Sequence, residues 1–326
     1  MIEFWPQNAI FPGDLPFPEE AGEKPIIHKC SELDYHRIRA FSNTYLKNLV
    51  SATPLHALIK PKSQDAFTMG SLFECLVEDA FTTQDKNILR QKIAGNNFHT
   101  SAAKFNERCA LRGDFSKGDG IRKFAEEWKE KNKDKVWVTL HQLMTAMEML
   151  KSTLQNEGWS RHLRGGDWQV VVCWMERGLP MKAMLDFVYT SFDRKVPVDL
   201  KSCNGVQHKA DAQSFGRQAG KYQYDMQAAH YMSGLAQVFG GDAVEPFVFL
   251  VCETSAPYGT AVYKCSEAFL ESGFAQRNRA LDYLLDYLDH YGDGPLPQYA
   301  KYNEEDIILE PPHYHWRNAT NNGDAI

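Results

Sequence analysis

MKAMLDFVYTSFDRKVPVDLKS, residues 181 to 202, is the stretch from which the rest of the chain can be placed. Two apolar-rich runs, Met181 to Val188 and Val196 to Ser202, flank the polar turn Ser191-Phe192-Asp193-Arg194-Lys195, a β-hairpin pattern. Side chains alternate along a strand, so Val198 and Leu200 point one way while Asp199 and Lys201 point the other, about 6–7 Å apart. The first run carries Asp186, expected at its end, with the parity of Met184 and Val188. The hairpin then brings Asp186 beside Asp199, with a lysine next to the pair. Two hard carboxylates and an amine suit Mg²⁺ or Mn²⁺ and hydrolysis of a phosphodiester. In that chemistry Lys201 would orient or deprotonate the attacking water and offset charge on phosphorus. The plainer reading is a hairpin with an exposed salt bridge, because D-x-K alone is a common string.

Composition bounds the answer. With 326 residues and 43% hydrophobic content the chain can bury a large core. No apolar run approaches the ~20 residues that span a bilayer, and MIEFWPQNAI lacks the basic and apolar regions of a signal peptide. A cytoplasmic protein away from membranes is the expectation. The seven cysteines are scattered and form no C-x-x-C pair, so neither a disulfide framework nor a zinc or iron-sulfur site is indicated. A net charge of −6 argues against a generally basic surface yet allows a local basic groove.

Around the hairpin the chain divides into three expected parts: an irregular, proline-rich N-terminal arm (1–32), a main domain (33–300) with a helical insertion around 81–158, and an extended tail (301–326). Ser42 is expected to cap a helix over Asn43 to Val50, and Pro54 to start a short helix, PLHALIK. Helix N-termini bind anions, so Ser42, Lys47 or Ser51 can also be read as a phosphate contact. In Gly70 to Ala80, GSLFECLVEDA, an apolar stripe (Leu72, Phe73, Leu76, Val77, Ala80) backs a face carrying Gly70, Glu74 and Glu78. Periodicity does not choose between the two glutamates. Thr139 caps an amphipathic helix ending near Gly158, and Trp168 to Trp174 reads as a buried strand before the hairpin. Beyond it, Asp211 caps a short helix, Lys221 to Phe239 forms another, Glu245–Glu253 and Tyr258–Cys265 are strands, and Ser266 caps a final helix to about Tyr291. Gln227 and Tyr231 lie one turn apart, able to meet a phosphate, a sugar or a base, although Tyr231 can equally be packing.

The order of these parts resembles the PD-(D/E)XK nuclease superfamily, with its restriction-endonuclease-like core. Residues from about 40 to 300 look more closely like the RecE-type exonucleases (exodeoxyribonuclease VIII), relatives of the RecB nuclease domain and phage lambda exonuclease. MGSLFECLVED, KAMLDFV, VDLKS, YDMQAAHY and PFVFLV carry the likeness. It implies an α/β (α+β) fold with a central mixed sheet flanked by helices. By position it implies metal ligation by Asp186, Asp199, the Leu200 backbone carbonyl and Glu74, a catalytic role for Lys201, and Gln227 and Tyr231 along DNA. Two departures stand out: Glu74 occupies a place usually held by histidine, and Met184-Leu185 replaces the usual Arg-Pro. The implied activity is a Mg²⁺-dependent, processive 5′ to 3′ exonuclease that acts on double-stranded DNA ends, with Mn²⁺ able to substitute, and leaves 3′ overhangs for recombination, as in phage or prophage systems. A ring-shaped homo-oligomer (trimer or tetramer) and a single-strand annealing partner go with it. The alternatives are an endonuclease or flap-processing nuclease of the same superfamily, or a DNA-binding module that does not cut.

Overall fold

The computed structural model describes residues 13–51, 65–83, 98–112, 119–204 and 209–291, with positions 91, 93 and 95 between. The PLHALIK segment and the expected tail 301–326 lie outside them. In chain order the first half gives α1 (Glu19–Glu23), β1 (Ile26–His28), α2 (Glu32–Arg37), α3 (Asn43–Ser51), α4 (Asp65–Thr82), α5 (Ala103–Arg108), β2 (Cys109–Leu111), α6 (Asp119–Lys131), β3 (Val136–Val138), α7 (Leu140–Gln155) and α8 (Glu157–His162). The second half gives β4 (Gly166–Glu176), β5 (Leu179–Ser191), β6 (Arg194–Cys203), α9 (Ala212–Lys221), α10 (Tyr224–Phe239), β7 (Val248–Glu253), β8 (Thr260–Lys264) and α11 (Glu267–Tyr291).

Six strands form one mixed sheet in the order β1-β4-β5-β6-β7-β8. Only β6 and β7 run parallel; every other neighbouring pair is antiparallel. Tight turns build the β4-β5-β6 meander. Arg177-Gly178 and Phe192-Asp193 all have positive φ, the backbone that matches the twist of two-residue hairpins. Helices cover both faces, as the apolar faces of such a sheet require. On one side Leu72, Phe73 and Leu76 of α4 and Leu143, Met147 and Leu150 of α7 bury against Phe187, Val198 and Leu250. On the other, Met226 and Leu235 of α10, Leu281 and Leu284 of α11 and Leu46 and Leu49 of α3 bury against Val172, Met181 and Leu185. A Cβ on Gly234 would sit 2.8 Å from the Trp174 ring, so this glycine lets α10 lie close on the sheet.

Several expectations change here. The arm 1–32 is not wholly irregular: Ile26, Ile27 and His28 extend the sheet by pairing with Cys173, Val172 and Val171. Part of the expected insertion belongs to the core, since α7 packs its apolar face on α4; Thr139 does cap it, in a full capping box with Gln142. The helix expected over 221–239 starts later, at Tyr224, because Gln223 adopts a left-handed φ of 51° and the helix capped by Asp211 runs on to Lys221. Asp186 lies inside β5 rather than at its end.

Candidate active site

The centre is made by an interruption in the sheet. Pairing of β5 with β6 runs from Ser191↔Arg194 to Phe187↔Val198. One step further the same register would set Asp186 opposite Asp199, but the ladder has ended and the strands diverge. On the other side, β4 pairs with β5 through Trp168↔Phe187 and Val170↔Leu185, passing over Gln169 and Asp186. Gln169 has a φ of 53°, unusual for a residue with a side chain and here found inside a strand rather than in a turn. Asp186 therefore interrupts the ladders on both its flanks. Its Oδ2 fills part of the gap by accepting the Leu200 N–H at 2.7 Å. Within a strand the N–H and C=O of one residue face the same neighbour, so the Leu200 carbonyl turns towards Asp186 as well.

Asp199 is buried, 2% exposed. Its Oδ1 accepts from Gln227 Nε2 at 2.7 Å, and its Oδ2 faces Lys201 Nζ at 2.5 Å. Glu74 reaches the same centre from α4. Its Oε1 accepts from Gln169 Nε2 and faces Arg108 Nη1 at 3.4 Å, while Arg108 also pairs with Glu32 at 2.7 Å. Geometry thus separates the two glutamates that periodicity left equal, because Glu78 faces away from the centre to Lys104, 3.8 Å distant.

The electrostatics are those of crowded acids. Burial, then Asp199, then Glu74 raise the Asp186 carboxyl well above the ordinary range. Burial pushes Glu74 up to about 7 against the opposing pull of Arg108. Burial works against the charge on Lys201, but Asp199, Tyr224 and Asp186 outweigh it and raise its pKa above the usual lysine value. The lysine is therefore an ammonium near neutral pH, a donor rather than a base. Neighbouring Lys47 differs: burial and the Lys201 charge bring it down to about 7.

The remaining sequence candidates have other engagements. Gln227 is 7% exposed and its amide holds Asp199 instead of facing solvent. Tyr231 is half-buried, with its ring 6.1 Å from that of Phe247. Ser42 Oγ accepts from Tyr45 N at 3.4 Å as the cap of α3. A Cβ on Gly70 would meet only Ser202 Oγ, at 4.0 Å, so this glycine opens space beside β6 and is not there for close helix packing. Sequence reasoning missed Gln169 and Arg108. Nothing in a Trp-Gln-Val strand announces a left-handed glutamine, and Arg108 lies in a polar stretch read as inserted.

An αβα core with Asp, Asp-x-Lys and a helical glutamate at a break in a mixed sheet defines the PD-(D/E)XK type of fold. The chain belongs to the family described as PDDEXK-like domain of unknown function (DUF3799), whose model matches residues 52–292, well over half of the chain. No curated protein matches it. Among solved structures it is similar to a "Putative exonuclease" from Eubacterium rectale, with a TM-score of 0.53 and 14% identity over 90% of this chain and 99% of that one. At that identity the likeness shows the fold alone. SSO0001, with a TM-score of 0.25 and 11% identity over 66% of this chain and 84% of its own, carries no argument. The same holds for protein VC1899 from Vibrio cholerae, with a TM-score of 0.21 and 9% identity over 73% of this chain and 59% of its own.

PD-(D/E)XK nucleases typically use divalent metals. Among the described residues no three His, Cys, Asp or Glu side chains already gather as a metal cluster, since Glu74 is turned to Arg108 and Gln169. The donor set nevertheless fits a hard cation. Asp199 Oδ2 is a buried oxygen with no hydrogen-bond donor beyond its ion pair with Lys201, and the raised Asp186 and Glu74 carboxyls are what acids short of positive charge show. Among the described residues no helix is long and apolar enough to cross a membrane.

Proposed function

We propose that the protein is a divalent-metal-dependent deoxyribonuclease that degrades double-stranded DNA from its ends, 5′ to 3′, leaving 3′ overhangs for recombination. The observation that carries the hydrolytic part is the interrupted ladder at Asp186, with Asp199, Lys201 and Glu74 converging on it. The exonucleolytic part is supported by the RecE-type strings in the sequence. A ring-shaped homo-oligomer and a single-strand annealing partner belong to the same reading.

Asp186, Asp199, the Leu200 carbonyl and Glu74 would hold Mg²⁺, with Mn²⁺ able to substitute. When bound, the ion would act as a Lewis acid on the scissile phosphate and bring a water into attack. Arg108 and Gln169 hold Glu74 through its Oε1, so they compete with the cation for this carboxylate. Lys201, held as an ammonium in the metal-free protein by Asp199, Tyr224 and Asp186, donates to the water or the phosphate and offsets negative charge as it grows. Gln227 fixes the rotamer of Asp199. Gln227 and Tyr231 act on DNA through the shape of the centre more than by lying along the strand.

Linear duplexes labelled at either 5′ or 3′ end, incubated in Mg²⁺ or Mn²⁺ beside a covalently closed circle, test this reading. Loss of linear DNA from its 5′ ends, survival of the circle and arrest by EDTA are expected. Rapid nicking of the circle would replace the exonuclease with an endonuclease. DNA binding without turnover in either metal would leave a non-cutting module.

A further inference from the structure

Beside the acidic centre lies a second, differently built surface. The left-handed backbone at Gln223 joins α9 to α10 and sets the rings on either side of it, Tyr222 and Tyr224, in a stack with centroids 5.9 Å apart and planes inclined by 24°. The inner ring is anchored. Tyr224 lies 6.0 Å from Phe215 and 5.8 Å from Phe249, and its hydroxyl accepts from Gln218 Nε2 at 3.3 Å. The outer ring ends the stack in solvent, with Tyr222 47% exposed.

Three lysine side chains surround the pair. Lys201 Nζ is 4.7 Å from the Tyr224 centroid and Lys47 Nζ is 5.6 Å from it, while exposed Lys221 is 5.3 Å from the Tyr222 centroid. Lys47 also donates to the Tyr222 carbonyl at 2.7 Å, tying α3 to the junction. Lys201 belongs both to this group and to the Asp199 pair, so the tyrosines begin where the catalytic centre ends. In a chain of net charge −6, lysines around an aromatic stack are a local exception. An anchored ring stack whose outer ring is exposed suits a nucleobase, and the flanking lysines suit the phosphates on either side of it.

We infer that Tyr222, stacked on Tyr224 and flanked by Lys47 and Lys221, is the platform on which an unpaired base of the DNA strand rests beside the acidic centre. A base pair inside a duplex offers its edges, not its face, so the platform takes a single-stranded or frayed segment in preference to the interior of a duplex. This inference rests on the nuclease reading for the identity of the strand, but stacking is measurable without cleavage.

The test is a set of 12-nucleotide oligothymidylates with one 2-aminopurine at position one, two or three from the 5′ end, titrated with the full chain in EDTA. Quenching of at least one probe is expected, since 2-aminopurine loses fluorescence when stacked. Tyr222→Leu should abolish the quench and weaken binding by about 5- to 150-fold, the range that stacking one base supplies. Tyr222→Phe, which keeps the ring, should retain both. Lys221→Gln should lower the salt dependence of binding by about 0.7 in the logarithmic slope for a lost phosphate contact. Absence of quenching at all three positions, or a quench that Tyr222→Leu preserves, overturns the platform. Cleavage is scored separately: a chain that stacks the probe yet cuts nothing loses the nuclease reading and keeps the platform, whereas normal cutting with an unaltered quench in Tyr222→Leu does the reverse.

Discussion

Two groups of buried polar side chains are built on the same strands and the same helix, and they are finished differently. Towards one end of β4, Arg277 (2% exposed) donates through both terminal nitrogens to Glu176, one contact at 2.8 Å, and Trp174 Nε1 donates to the same carboxylate at 2.9 Å. Arg277 Nε donates to His230 Nδ1 at 3.3 Å. Arginine cannot accept, so His230 carries its proton on Nε2 and donates it to the Lys182 carbonyl at 3.0 Å. The Lys182 ammonium in turn donates to the Tyr35 and Ile38 carbonyls at 2.8 and 2.7 Å. Here charge meets charge and donors meet acceptors. At Asp186 the opposite holds: burial and the nearby Asp199 and Glu74 carboxylates raise its pKa, with Lys201 and Arg108 as the adjoining cations. The first group holds the sheet against α10 and α11, and the second is left short of positive charge, as a site awaiting a cation would be.

If that contrast is right, substitutions in the two groups fail in different assays. The largest effect expected is on chemistry. Lys201→Ala should lower cleavage by about 10²–10³-fold, typical for a lost donor to developing negative charge, with duplex affinity within a few fold and the unfolding midpoint little changed. Arg277→Ala should do the reverse. It leaves Glu176 half-buried with Trp174 Nε1 as its remaining donor, at a cost of about 3 kcal/mol, the low end for breaking a buried pair, in urea unfolding, while the fraction still folded should cut at nearly the normal rate. Cleavage by Lys201→Ala near the wild-type rate would remove the lysine from the mechanism. Unchanged stability in Arg277→Ala would remove the distinction between the two groups.

Gln227 sits between the groups, since it shares α10 with His230 and bonds to Asp199. Gln227→Ala leaves a buried carboxylate oxygen without its donor, worth about 1–3 kcal/mol. Activity should fall by roughly 10- to 100-fold on that scale, with DNA affinity nearly intact, in initial-rate and anisotropy measurements. A loss confined to DNA affinity would return the residue to the strand-contacting role expected from sequence.

Much of this was legible because it depends on local periodicity. The hairpin was readable from alternation around Phe192-Asp193, α4 from its apolar stripe, and the α7 start from Thr139. The Asp186, Asp199 and Lys201 set followed from strand parity, which a two-residue turn preserves. What escaped depends on interactions between segments far apart. That β1 would add to the sheet is decided by the exposed edge of β4, not by Ile26-Ile27-His28. The left-handed backbone at Gln169 and Gln223 belongs to residue types that seldom adopt it, so no residue code marks the break opposite Asp186 or the junction behind Tyr222. The helical spacing of Gln227 and Tyr231 suggests a DNA contact because periodicity gives a face but not what covers it, and Asp199 accepts the Gln227 amide.

The smallest effect expected concerns Glu74, where the acidic group departs from the RecE-type pattern. Burial raises its pKa to about 7, above the ordinary value of about 4.3. Between those values the folded chain keeps a proton that the unfolded chain has released, so folding is favoured at low pH. The stabilisation is complete below the ordinary value and is lost as pH rises through 7. Metal-free protein should therefore lose stability from pH 5 to 8 in urea unfolding, and Glu74→Gln should show a shallower fall, since its amide does not titrate. The difference should be modest, because Asp186 contributes a similar slope and Arg108 keeps Glu32 as a partner. Mg²⁺ added at pH 8 should restore stability to the wild type more than to Glu74→Gln, and the variant should need more Mg²⁺ for half-maximal cleavage. Glu74→His should keep some activity with a relative preference for Mn²⁺, as an imidazole nitrogen favours later metals. Glu78→Gln, which faces Lys104 instead of the centre, is the control. If it alters metal dependence as much as Glu74→Gln, or if the stability slopes of wild type and Glu74→Gln coincide, then Glu74 belongs with Arg108 and Glu32 to the scaffold, and the centre rests on the strand aspartates.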